Sequence, residues 1–219
     1  MSVSRVEMLQ LKIMYLFMNV DGSCGEEEVA RFSSICDELK ASKEDKNEIS
    51  EFIKKFEFAK DNDNSELVIN AVGTLLGYIK ETEKNKVKYD DKINCFLAIS
   101  GINRVLGTLN SGRNIINSNK ERQAHTIWTL INLGYADKML VPSEQKVIDY
   151  LVSVWEMDKV LTAALFDTAE TMLALQMKKE WVISTDKAPD EKDKLCAEID
   201  KEIEKMYDDV KLTISEASI

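Results

Sequence analysis

The chain has 219 residues with 29 Lys and Arg against 39 Asp and Glu, a net charge of −10. A surface of that sign repels phosphate backbones and anionic headgroups, which excludes nucleic acid and an anionic membrane as main partners. The hydrophobic share of 44% is ordinary for a globular chain, and the length suffices to bury a core without staples, while 2 Pro and 8 Gly leave few breakers and favour long helices.

The periodicity is helical almost throughout. Ser4 with Glu7 three residues on predicts a capping box opening a first helix, with Val6, Leu9, Ile13, Leu16, Phe17 and Val20 as its apolar stripe. Gly22 and Gly25 end it. A second helix is predicted over about 26–39 (Val29, Phe32, Ile35, Leu39), and Ser42 with Asp45 opens a third carrying Ile49, Phe52, Ile53 and Phe56. The cap cluster Asp61-Asn62-Asp63-Asn64-Ser65 starts a fourth, expected to run to about Lys84. A polar stretch over 81–91 and a helix from Lys92 to Leu109 follow, then a helix ending at Ala136. Pro142 suits the first turn of the next helix. Asp158 caps a further one, expected to reach about Lys178.

Residues 182–189 read as a linker. The last helix, about Pro189–Leu212, has Cys196, Ile199, Ile203, Met206 and Val210 at alternating three-four spacing, a seam of about two heptads. That is too short to stand alone in water, so it packs on the body or on a second chain. No strand pattern occurs, and the fold expected is all-α with about nine helices.

One signature occurs twice. Phe17-Met18-Asn19-Val20-Asp21-Gly22 leads to Glu28, and Leu133-Gly134-Tyr135-Ala136-Asp137-Lys138 leads to Glu144. In each copy an apolar helix ends in Asp, and a Glu seven positions on opens the next helix. Positions 21 and 137, and likewise 28 and 144, are 116 apart. Paired carboxylates at two equivalent junctions are suited to converge on one cation. A Glu in a first turn is also explained by capping and the helix dipole. An Asp at a helix C-terminus faces the negative end of the dipole, at a cost of up to about 1 kcal/mol that a cation would offset. Carboxylate and carbonyl oxygens are hard donors, suited to Ca²⁺, Mg²⁺ or Mn²⁺, and the loop is not an EF-hand.

Val20-Asp21-Gly22 with Glu27-Glu28, and Ala136-Asp137 with Pro142 and Glu144, resemble the signature of the TerB-like domains of tellurite-resistance and stress proteins. The resemblance spans residues 1 to about 178. Lys138 stands where that family has Gly, Gly25 stands where it has a Ser cap, the middle (about 42–118) is longer, and the C-terminal helix is extra. The resemblance implies a helical bundle with quasi-symmetric halves over 1–178, with 179–219 as linker and appended helix. It also implies a divalent-cation site at Asp21, Glu28, Asp137 and Glu144, with Glu27 as a weaker fifth. Lys138 counts against the second half, because an ammonium beside Asp137 could take the place of a cation.

His125 stands alone, with no nucleophile at a recognisable spacing, and reads as a helix-face or core imidazole. Gly73 and Gly77 read as close helix packing. Trp128, Trp155 and Phe166 read as core, and Trp181 as core or a partner anchor. The four cysteines form no C-x-x-C pair, no apolar run spans a membrane and no leader is visible, so a reducing cytoplasmic setting is expected. The function expected is a non-enzymatic TerB-like module binding a divalent cation and a protein partner in a bacterial stress-response or tellurite-resistance setting. The alternative is a metal-free adaptor, with homodimerisation through the C-terminal helix as one form. A metal-dependent hydrolase is a third class, for which no general base is visible.

Overall fold

The computed structural model describes residues 3–77, 116 and 119–217. These contain eight helices and no strand: α1 (Arg5–Phe17), α2 (Glu26–Glu38), α3 (Lys43–Ile53), α4 (Ser65–Leu76), α5 (Lys120–Gly134), α6 (Pro142–Val154), α7 (Lys159–Ser184) and α8 (Pro189–Ala217). The predicted stretch over 81–91, the helix from Lys92 to Leu109, Cys95, Gly101 and Gly107 lie outside the described residues. No helix among those described is long and apolar enough to cross a membrane.

Two helices form the centre. In α1, Leu9, Leu11, Ile13, Leu16 and Phe17 are fully buried, and in α5 so are Ile127, Leu130, Ile131 and Leu133. A helix apolar around most of its circumference must be covered on most sides. The other elements do this, α2 and α3 against α1, α6 and α7 against α5, with α1 and α5 also touching each other. Each fully buried Leu, Ile or Phe contributes on the order of 1.5–3 kcal/mol. The predicted box at Ser4 is present, Glu7 N–H donating to Ser4 Oγ at 3.2 Å and Ser4 N–H to the Glu7 carboxylate at 2.6 Å.

The two halves repeat at a constant offset of 116. Helix α2 begins at 26 and ends at 38, α6 begins at 142 and ends at 154; α3 begins at 43 and α7 at 159. The offset also holds for the backbone. Gly22 and Lys138 have φ 81° and 76°, and Lys40 and Glu156 have φ 55° and 49°. Ala41 N–H donates to Cys36 C=O at 2.8 Å, and Met157 N–H to Val152 C=O at 3.0 Å. Ser42 caps α3 and Asp158 caps α7.

The halves diverge after α3. The first leaves the helix at Lys54 and forms a loop before α4, and Asn64 braces that loop by accepting from Ala59 N–H at 2.9 Å and donating to Ala59 C=O at 3.0 Å. The second continues as α7 to Ser184, past its expected end near Lys178, and the turn into α8 falls at 185–188. Helix α4 stops short of the expected Lys84, because Gly77 adopts a left-handed conformation at its C-cap (φ 79°). Gly73 does serve close packing. A Cβ there would lie 2.5 Å from the Tyr150 hydroxyl on α6.

The heptad-like seam of α8 faces inward. Ile199, Val210 and Ile214 are buried, and the helix lies along α7 and across α5, where Tyr207 meets Trp128 edge to face. Trp128 and Trp155 are core as expected and Phe166 packs at its margin; Trp181 is 61% exposed.

Candidate functional site

The two junctions have one local geometry. After α1, Asp21 Oδ1 accepts from Ser23 N–H at 2.9 Å; after α5, Asp137 Oδ1 accepts from Met139 N–H at 3.2 Å. Such Asx turns reverse the chain at a helix end. Four residues past each Asp, an N-cap N–H reaches the Glu of the next helix, Gly25 N–H to Glu28 Oε2 and Val141 N–H to Glu144 Oε2, both 2.8 Å. Each is half a capping box, because Gly25 and Val141 carry no side-chain oxygen to answer with. The capping expectation for both Glu residues therefore holds. An exposed position would serve capping equally well, yet Glu28 is 6% exposed and Glu144 5%.

Burial and mutual repulsion act together on these acids. Burial is the largest influence on Glu28 and pushes its carboxyl up to about 7; the Gly25 hydrogen bond opposes this, and the charges of Asp21 and Asp137 add to it. Glu144 is pushed up to about 8, by burial first, against the Val141 hydrogen bond, with Glu28, Asp137 and Asp21 adding repulsion. Each half thus acts on the acids of the other. The folded chain gathers Asp21, Glu28, Asp137 and Glu144 into one electrostatic neighbourhood. Glu27, the weaker fifth candidate, is exposed.

Among the described residues none of the four is in an ion pair. Lys138 does not sit among them; its Nζ lies 2.7 Å from Glu180 Oε2 on α7. Gly22 and Lys138 share a backbone conformation but differ in surroundings. A Cβ on Gly22 would lie 2.2 Å from Ala59 C=O and 2.6 Å from Asp61 N, since the loop before α4 packs on that turn. The second half replaces that loop with continuous α7, so position 138 is exposed and a side chain fits.

Carboxylate oxygens are hard donors of the kind that divalent cations take, and among the described residues these four have no counter-ion. As the side chains stand they are turned to their own turns and caps, and among the described residues no group of three or more His, Cys, Asp or Glu is gathered tightly enough to hold a metal ion. Gly134 lies close under this corner: a Cβ there would meet Leu140 Cδ1 at 2.4 Å and both Glu144 carboxylate oxygens at 3.4 Å.

Cys24 lies beside the cluster, and burial, then Glu28 and Asp21, push its thiol up to about 11, which suppresses the thiolate. His125 is half-buried on α5, and burial lowers its pKa. Sequence spacing singled out the four acids and gave no signal for Glu180, the ion-pair partner of Lys138. No family model matches the chain, and no curated protein or solved structure matches it.

Proposed function

We propose that the protein is a non-enzymatic helical binding module of the TerB-like kind, in which Asp21, Glu28, Asp137 and Glu144 take up one divalent cation between the two halves. The observation that carries this reading is the shared charge burden. Burial and aspartates from both halves push the carboxyls of two buried glutamates up to about 7 and about 8, and among the described residues neither is in an ion pair. Calcium, magnesium and manganese suit the all-oxygen donor set. Bound between the junctions, the ion would fix α1–α2 relative to α5–α6 and present a surface to a protein partner in a bacterial stress-response or tellurite-resistance setting. The test is a calorimetric titration with Ca²⁺ or Mn²⁺ of the parent and of an Asp21→Asn, Asp137→Asn double variant. Saturable binding that the variant loses supports the site, and absence of binding in the parent removes it.

A second reading is a metal-free adaptor. It draws on the side-chain positions, which are those of capping, and on Met177 and Trp181, exposed one turn apart on α7. It predicts that a partner binds equally well in chelator and in Ca²⁺.

A further inference from the structure

Helix α7 is apolar on two sides. Leu161, Leu165, Ala169, Met172 and Val182 are buried, while Val160, Met177 and Trp181 on the opposite side are 79%, 50% and 61% exposed. A helix apolar all round is ordinarily covered all round. Helix α8, of similar length, turns its seam inward and leaves mostly charged side chains outside. The outer positions of α7 have an order of their own. Asp167, Glu170, Ala174, Met177 and Trp181 follow one another at alternating three-four spacing, and every one is exposed. Such a row is one face of a helix, with the spacing by which two helices pair. Val160 and Ala163 continue it toward the N-terminus. The first half has no equivalent, because the positions 116 residues before 170–180 lie in the loop between α3 and α4.

The charges on this face say what covers it. Acid stands at Asp167 and Glu170, and base at Lys178, exposed beside Met177; none of the three is in an ion pair among the described residues. Two α7 helices in parallel register would set Asp167 against Asp167 and Glu170 against Glu170. Running antiparallel about Ala174, they set Glu170 of each copy against Lys178 of the other, since 170 and 178 lie four positions either side of 174. The small side chain of Ala174 meets its own counterpart at the centre, where it lets the helices approach closely. Trp181 falls across from Asp167, whose carboxylate can accept from the indole N–H. Glu170 is already held on this face, its Oε1 accepting from the Tyr135 hydroxyl at 3.0 Å.

We propose that the outer face of α7 docks a second copy of this chain, antiparallel and centred on Ala174, in a symmetric dimer. The dimer needs no cation, and its seam is not that of α8, which the chain's own body fills. One helix pair buries less than the ~800 Å² per partner of a standard interface, so the dimer is weak, with a dissociation constant on the order of 10–100 μM.

Sedimentation equilibrium of the full chain in chelator, through that range, should show monomer and dimer. Acrylamide quenching should fall as the dimer forms, since Trp181 is exposed in the monomer while Trp128 and Trp155 are buried. Glu170→Lys and Lys178→Glu each set like charges together at both symmetric contacts, and each should weaken self-association about ten-fold or more. Both positions are exposed, so the fold is kept. Mixed together, the two variants oppose Lys and Glu at both contacts and should form a heterodimer as tight as the parent dimer. The double variant should likewise regain self-association. A parent still monomeric at about 1 mM, well above the expected constant, overturns the proposal. It does so whether Trp181 is open to quencher, as a face for a different protein would leave it, or protected by another part of the same chain. Single variants that self-associate like the parent, or a mixture that stays monomeric, overturn it as well.

Discussion

Gln10 donates through Nε2 to Thr126 Oγ1 at 2.9 Å, and the two residues are 116 positions apart. The same offset separates the two Asp residues, the two Glu residues and the left-handed turn positions of the halves. A residue in contact with its own counterpart lies near the axis relating the halves. That axis therefore passes between α1 and α5, the helices whose C-terminal ends lead to Asp21 and Asp137.

The paired turns predict opposite responses to substitution. Gly22→Ala forces a side chain into a left-handed conformation with a Cβ 2.2 Å from Ala59 C=O, and should destabilise the fold by roughly 2–4 kcal/mol. Lys138→Gly relieves the same conformation without a collision and should be neutral or stabilising by up to about 1 kcal/mol. Urea unfolding midpoints check both. Equal losses at the two positions would mean that the loop before α4 does not pack on the first turn.

The glutamates predict a pH dependence of stability. A carboxyl raised on folding from its ordinary 4.5 binds more protons in the folded chain than in the unfolded one. Its contribution to stability therefore falls as pH rises from about 4.5 through 7 for Glu28 and 8 for Glu144, then levels off. In chelator, the parent should lose melting temperature over pH 5 to 8 relative to a Glu28→Gln, Glu144→Gln double variant. Parallel curves for the two proteins would show that these acids titrate normally.

The C-terminal helix should behave as part of the body. Ile214 is fully buried against it, and Ile214→Ala should cost about 2–4 kcal/mol in urea unfolding, with one cooperative transition. A change below about 0.5 kcal/mol would mean that α8 is detached from the bundle in solution.

Much of this was legible in the residues. The Ser4 box, Pro142 at the first turn of α6 and the Asp158 cap are local signals that act within one turn, so they predict the helix starts to the residue. The equal spacing of Asp21 and Glu28 with Asp137 and Glu144 revealed the repeat, because a constant offset preserves itself when two segments fold alike. Helix ends were harder. Gly77 ends α4 early because glycine tolerates the left-handed cap, and α7 runs on to Ser184 because no breaker interrupts it. The place of the Lys138 ammonium was not legible, since it depends on Glu180, which is 42 residues away and reached only through tertiary packing.

Proton release on cation uptake tests the central claim most directly. Burial and the neighbouring carboxylates push Glu28 up to about 7 and Glu144 up to about 8, so ligation by both at pH 7 should release protons. The measurement is Ca²⁺ or Mn²⁺ calorimetry repeated in buffers of different ionisation enthalpy. Saturable binding with that proton release, lost in Asp21→Asn, Asp137→Asn, is the result expected. Absence of saturable heat in every buffer, or binding that the Asp21→Asn, Asp137→Asn variant retains, would contradict a site built from the four carboxylates.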